Sequence, residues 1–367
     1  MKEIPDPFAF ESPEKKALVD EIVHGAFVKE GKMAAFPTCF PGVTVPIIAD
    51  ESRITALDIA PDGLVYGGTS GRKSHVFVGM FHGVTGAVFD MGALEAKENC
   101  TAVCCSEKNV VVCANGADGG SIFAHQLQTL PFDLIQEWAF SRHPFNDLGT
   151  IGKGERIAHA VTDRARTKAI GISEKHLFTV DLEHPQVNVV AEISGRGRVA
   201  LGPKGCVYGM DDGDTLWCFD PMGEQFSRSA VPLPEGDWDG LSHQWAMDTG
   251  RGILYVADAA GRLFSFDAVK GFSRSLGQVI AAPVYAMAVT FDGRLFGICG
   301  EGIGRLFCYR PKCGELTDLG VPVSVIERRR YGYSFADAVV GRDGEIIFGE
   351  DDNQGHLWLY FPRISAD

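Results

Sequence analysis

Polar side chains of a few types recur along this chain, each just ahead of a short run of small or branched apolar residues. Arg53 precedes ITALD, Arg156 precedes IAHAV, Arg198 precedes VAL, His243 precedes QWAM, and Tyr331 and Tyr333 precede FADAV. Asn99 and Tyr285 stand in the same kind of position. An arginine can hold a carboxylate through two parallel N–H bonds, and a histidine or tyrosine can move a proton on the neighbouring carbon. Brought onto one ligand, such a set is what a lyase or isomerase acting on a small acidic or uronate-type sugar requires. The segment FSRHPFNDLGTIGKGER, residues 140–156, adds Arg142, His143 and Lys153 on what reads as a long loop, either a pocket wall or a solvated excursion. The sequence therefore assigns His243, Tyr331 and Tyr333 to acid–base work, and Arg53, Arg142, His143, Arg156 and Arg198 to substrate binding.

Other constellations carry less chemistry. The acidic turns Asp211-Asp212-Gly213-Asp214 and Glu350-Asp351-Asp352-Asn353 offer oxygen ligands, and a divalent cation near Glu350, Asp351 and Asp352 is one reading. Tight-turn preference of Asp and Asn is the other, since neither run completes the spacing of a calcium loop. His75, His176 and His356 each open a strand ahead of VF, LF or LW. Ser121, Thr215, Arg262 and Arg305 fill the equivalent place elsewhere, so the slot is generically polar. Ten cysteines include no CxxC pair and lie mostly inside apolar runs, where Cys acts as a small hydrophobe and stays a free thiol. No GxSxG elbow, P-loop or dinucleotide fingerprint stands in a strand-to-helix context.

What must position these residues is a repeated hairpin: an apolar strand, a Gly/Asp/Asn turn, then a polar residue followed by Leu-Phe or a close equivalent. The clearest copies are CVYGMDDGDTLWCFDP after Gly205, ILYVADAAGRLFSFD after Gly252, RLFGICGEGIGRLFCYRP after Gly293 and EIIFGEDDNQGHLWLYFP after Gly344. Copies starting near 63, 109 and 167 complete the series, so successive units lie 46, 58, 38, 47, 41 and 51 residues apart. That is the period of a four-stranded propeller blade. The expected fold is all-β: a seven-bladed β-propeller of four-stranded antiparallel blades over residues 33–367, with a short N-terminal helix in a 1–32 extension. The last copy leaves no room for an outer strand, so the residues from about 33 to 50 are expected to pair beside it and close the ring.

The cadence resembles quinoprotein-like, kelch-like and WD40-like propeller repeats, and the architecture is similar to that of propeller-type polysaccharide lyases. The resemblance implies a fold over roughly residues 33–363 and carries no catalytic residue with it. With a net charge of -14 and a pI near 5.2, the surface repels phosphate backbones, so neither a nucleic acid nor an anionic membrane is an expected partner. Residues 1–5 open no apolar signal stretch, which predicts a cytoplasmic protein. Function is then either an enzyme acting on a small acidic ligand or carbohydrate at the channel mouth, or a non-catalytic interaction scaffold.

Overall fold

The computed structural model describes residues 13, 28–38, 47–83, 85–127, 144–210, 215–238, 244–325 and 331–363. The expected N-terminal helix falls almost entirely outside them. Strand β1 (Gly31–Pro37) comes first, followed by the meander β2 (Arg53–Ile59), β3 (Val65–Ser70), β4 (Ser74–His82) and β5 (Thr85–Leu94). Next come β6 (Asn99–Cys105), β7 (Asn109–Gly116), β8 (Gly119–Gln126) and β9 (Asn146–Gly149), then β10 (Ile157–Thr162), β11 (Lys168–Ser173), β12 (His176–Asp181) and β13 (Val187–Glu192). The chain continues with β14 (Arg196–Leu201), a 3-10 turn at Pro203–Gly205, β15 (Val207–Met210), β16 (Thr215–Asp220) and β17 (Gln225–Pro232). It ends with β18 (Gln244–Asp248), β19 (Ile253–Ala257), β20 (Arg262–Asp267), β21 (Gly271–Phe272), β22 (Gly277–Gln278), β23 (Val284–Val289), β24 (Leu295–Cys299), β25 (Arg305–Arg310), β26 (Glu315–Gly320), β27 (Phe335–Val340), β28 (Ile346–Glu350) and β29 (His356–Pro362).

Every pairing is antiparallel and follows chain order, apart from one closure, one link and the short β22, which pairs with β20 beside β21. In the closure, β1 adds to the outside of β29 in the register Met33↔Tyr360 and Ala35↔Trp358. The link is a single pairing, Ser70↔Asn99, that fuses the meanders β2–β5 and β6–β9 into one eight-stranded sheet. The innermost strands form a closed cycle of neighbours: β2 packs on β6, then β10, β14, β18, β23 and β27, and β27 returns to β2. The chain is a β-propeller, its innermost strands surrounding a central channel. Each of them carries an alanine (Ala56, Ala102, Ala160, Ala200, Ala246, Ala288, Ala338), and small side chains permit the close approach that such a ring requires.

Two contacts explain why this sequence repeats as it does. Within a sheet, a second-strand glycine faces a third-strand ring: Gly67↔Phe77, Gly171↔Phe178, Gly209↔Trp217 and Gly297↔Phe307. A Cβ on any of these glycines would collide with the facing ring, which therefore lies flat across the strand. Between sheets, an aromatic of one second strand meets an aromatic of the next third strand. Tyr208–Phe266, Tyr255–Tyr309 and Phe296–Tyr360 have ring centroids 5.2, 6.0 and 5.4 Å apart in edge-on geometry, an arrangement worth about 1 kcal/mol per pair beyond burial. The nine described cysteines are free, most of them packed among these apolar clusters.

Gly171→Ala should cost about 1–3 kcal/mol in urea unfolding. In a Phe178→Leu background the same change should cost markedly less, because the ring it strikes is gone. Costs that simply add would show that the ring does not lie on the glycine.

Candidate functional site

The strand order gives the channel two ends. At one, the entry face, the innermost strands begin and the second strands turn into the third; at the other, the first strands turn into the second. Arg53 opens β2 at the entry face and its Nε–H donates to Asp351 Oδ1 at 2.8 Å, leaving the rest of a half-exposed guanidinium toward solvent. Asp351 lies in the turn after β28, and the Asp351 N–H donates to Ser334 O at 3.2 Å. Ser334 has φ 57°, a left-handed conformation that non-glycine residues seldom adopt and that costs about 1–3 kcal/mol. Beside it, Tyr333 is 49% exposed, bridges in antiparallel fashion to Ile303, and lies 3.5 Å from where a side chain on Gly302 would begin. The Tyr333 N–H donates to Glu350 Oε1 at 2.9 Å, and the fully buried Glu350 also meets His356 Nδ1 at 3.1 Å.

Tyr285, half-buried at the start of β23, completes this mouth. Burial raises its phenol pKa, and the carboxylates of Glu301 and Asp351 raise it further, so it holds its proton at neutral pH. Five side chains from three neighbouring blades thus share one rim: Arg53, Asp351, Tyr333, Glu301 and Tyr285.

At the other end lies a cavity of about 430 Å³. Two arginine–carboxylate ties frame it. Asp58 accepts from Arg166 Nη1 and Nη2 at 3.0 and 3.1 Å, from Thr162 Oγ1 at 2.9 Å and from the Cys105 N–H at 2.8 Å, so one carboxylate joins three successive blades. Arg198 on β14 donates to Asp337 Oδ1 at 3.1 Å and to Ala336 O at 2.7 Å, both on β27. Since β14 packs against β10 and β18 while β27 packs against β23 and β2, this tie spans the channel. His159, on β10, lines the same cavity. Burial and the Arg198 charge press its imidazole well below its ordinary value of 6.5. The Val199 N–H donates to its Nδ1 at 3.4 Å, so the neutral ring carries its proton on Nε2.

The residues singled out from sequence thus separate. Arg53 and Tyr333 share the entry rim. Tyr331, 40% exposed, bridges to Val323 on the same face, and Arg156 stands two blades round the ring from Arg53. Arg198 lies inside the channel, already paired. Arg142, His143 and His243 lie outside the described residues. The carboxylates considered for a cation are engaged by His356, the Tyr333 N–H, Arg53 and, at Asp352, the Gln354 N–H. Among the described residues no group of three or more His, Cys, Asp or Glu is arranged to hold a metal ion. The polar slot opening third strands proves to be a clamp: His75 meets Asp90 and the buried Glu51 at 3.0 Å each, His176 meets the buried Glu155 at 3.0 Å, and Arg262 meets the buried Asp258 at 2.7 Å. Sequence reading missed His159 because it sits inside a strand, third in IAHAV, where alternation alone does not say which face it takes.

Comparison with known proteins bears on the fold. No family model and no curated protein sequence matches the chain. Among solved structures, a catalytically inactive virginiamycin B lyase from Staphylococcus aureus with quinupristin aligns at a TM-score of 0.62 and 9% identity, over 90% of this chain and 99% of that one. The WD40 β-propeller domain of Doa1 gives 0.59 and 11%, over 90% and 97%, and a chain of the mitotic checkpoint complex gives 0.58 and 13%, over 93% and 97%. Propellers are its structural neighbours. At such identities the likeness is one of architecture, shared by a lyase and by WD40 proteins alike. No described helix is long and apolar enough to cross a membrane.

The depressed His159 ties stability to acid. Unfolded, this imidazole takes up a proton near pH 6.5; folded, it resists, so stability falls as pH drops below 6.5, by about 1 kcal/mol per pH unit. His75 works oppositely. Burial opposes its charge but Asp90 and Glu51 raise its pKa overall, so its contribution is present at low pH and fades as pH rises through the raised value. Urea unfolding at pH 7.5 and 5.5 isolates the first term: His159→Asn should lose less stability on acidification than the parent, with His75 common to both.

Proposed function

We propose that this chain is a seven-bladed propeller that acts as a lyase on a uronate-type sugar held at the entry mouth. The blade count rests on the innermost strands β2, β6, β10, β14, β18, β23 and β27, taken with the eight-stranded sheet as two blades joined by one pairing. The observation that carries the sugar reading is Tyr333, a half-exposed ring held outward by a left-handed serine, beside an arginine with free N–H groups and two carboxylates. Exposed rings at a polar mouth suit the flat C–H face of a sugar, and carboxylates accept its hydroxyl protons.

The chemistry follows from the protonation states. Arg53 would take the substrate carboxylate on its solvent-facing edge. Glu301 would accept the proton from the carbon next to that carboxyl group. The electron pair forms a C=C bond as the C–O bond to the leaving sugar breaks, and Tyr285, protonated at neutral pH, gives its proton to the departing oxygen. By their place in the sequence, His243, Arg142 and His143 are further candidates for contact with the same ligand.

A second reading is favoured by Ile48, Ile280, Val325 and Tyr331, all exposed on the entry face. An apolar rim of this kind also suits a protein partner. Incubation with oligouronates, followed by the ultraviolet absorbance of the new C=C bond, separates the two. Turnover lowered about 10²–10⁴-fold by Tyr285→Phe, with a raised KM in Tyr333→Ala, supports the lyase. No turnover and no binding of charged or neutral oligosaccharides would leave the scaffold.

A further inference from the structure

We propose that the cavity at the end of the channel opposite the entry mouth is a second, independent ligand site, and that it takes a small organic acid with an apolar body. The cavity's carboxylates are already engaged: Asp58 by Arg166, Thr162 and the Cys105 and Ile59 N–H groups, Asp337 by Arg198 and the Leu57 and Ala338 N–H groups. Asp163, on the same wall, is taken up by Thr167 and the Lys168 N–H. Its donors are not engaged to the same degree. His159 lines the cavity and, among the described residues, its Nε2–H has no acceptor, while Arg164, exposed at the turn after β10, pairs with no carboxylate among them. A wall whose charged acceptors are engaged while a guanidinium and an imidazole N–H are not favours a ligand that brings acceptors.

Charge and shape narrow the class. The three carboxylates balance Arg164, Arg166 and Arg198, and His159 is neutral, so a highly charged anion gains little here while a single carboxylate can take Arg164, the guanidinium without a partner. The rest of the wall is partly aliphatic, with the half-buried Val161, Met247, Val289 and Val339 lining the cavity. That leaves the apolar body of the ligand in contact with methyl groups, and a carbonyl or hydroxyl oxygen within reach of the His159 Nε2–H. A cavity of about 430 Å³ fits one such molecule. None of the rim residues Arg53, Tyr285, Glu301, Tyr333 and Asp351 lines this cavity, so the site does not depend on the sugar reading.

Calorimetric titration of the intact protein with 4-methyl-2-oxopentanoate, benzoate and hexanoate, each beside its uncharged amide, tests the assignment. At least one acid should bind at one per chain, roughly tenfold or more tighter than its amide, and Arg164→Ala should lower its affinity by about 10–100-fold, the usual worth of a charge-assisted hydrogen bond. Arg164 is exposed, so the variant should fold as the parent does. Tyr333→Ala, at the other end, should leave acid binding unchanged. Failure of all three acids to bind at 10 mM (roughly the weakest affinity that a built pocket would give), equal affinity for acid and amide, or loss of binding in Tyr333→Ala rather than Arg164→Ala would each overturn the proposal.

Discussion

A ring laid across a glycine is the contact on which the rest of this molecule depends. In four of the sheets the third-strand aromatic occupies the space that a second-strand side chain would otherwise fill. That frees the strand's remaining positions to present tyrosine or phenylalanine to the neighbouring sheet, where Tyr208, Tyr255 and Phe296 meet Phe266, Tyr309 and Tyr360. Intra-sheet seat and inter-sheet contact together set the angle between successive blades. Closure then follows from repetition, and the strand supplied by β1 seals the last edge.

Closure creates a channel, and polar ties decide what the channel can do. Asp58 joins the first three innermost strands, while Arg198 reaches from β14 to β27 across the middle. An arginine that looked like a substrate clamp from its place ahead of a strand is thereby committed to holding the ring. Two sets of polar groups result: a rim of tyrosines, carboxylates and one accessible guanidinium at the entry face, and a cavity toward the other end that the rim residues do not line. The chemistry of the two ends differs because their residues come from different places in the repeat, strand entries and their facing turns in one case, strand interiors and exits in the other.

The repeat was legible because it is local. A hairpin of alternating aromatics, a Gly-rich turn and a period of about 38–58 residues leaves few architectures to choose among, and the unpaired last hairpin pointed to the N-terminal strand. The recurrent glycines of VYG, AIG and LFG were equally visible, yet only the register shows them as seats for rings. Site residues were harder. Arg53 and Tyr333 share a rim because β27 and β2 are neighbours through ring closure, 280 residues apart in sequence. Arg198 and Arg53 look alike in sequence, and what separates them is a cross-channel aspartate that alternation cannot reveal. His159 could be found only once the face of its strand was known.

The rim and the cavity share no lining residue and so should bind their ligands independently, which one measurement addresses directly. The protein is saturated with the organic acid that binds it and then titrated calorimetrically with an oligouronate. Independent ends predict the same sugar affinity and stoichiometry with and without the acid, both ligands being bound at once. Competition, with the sugar displacing the acid mole for mole, would mean that a single site occupies the channel and would contradict two independent ends.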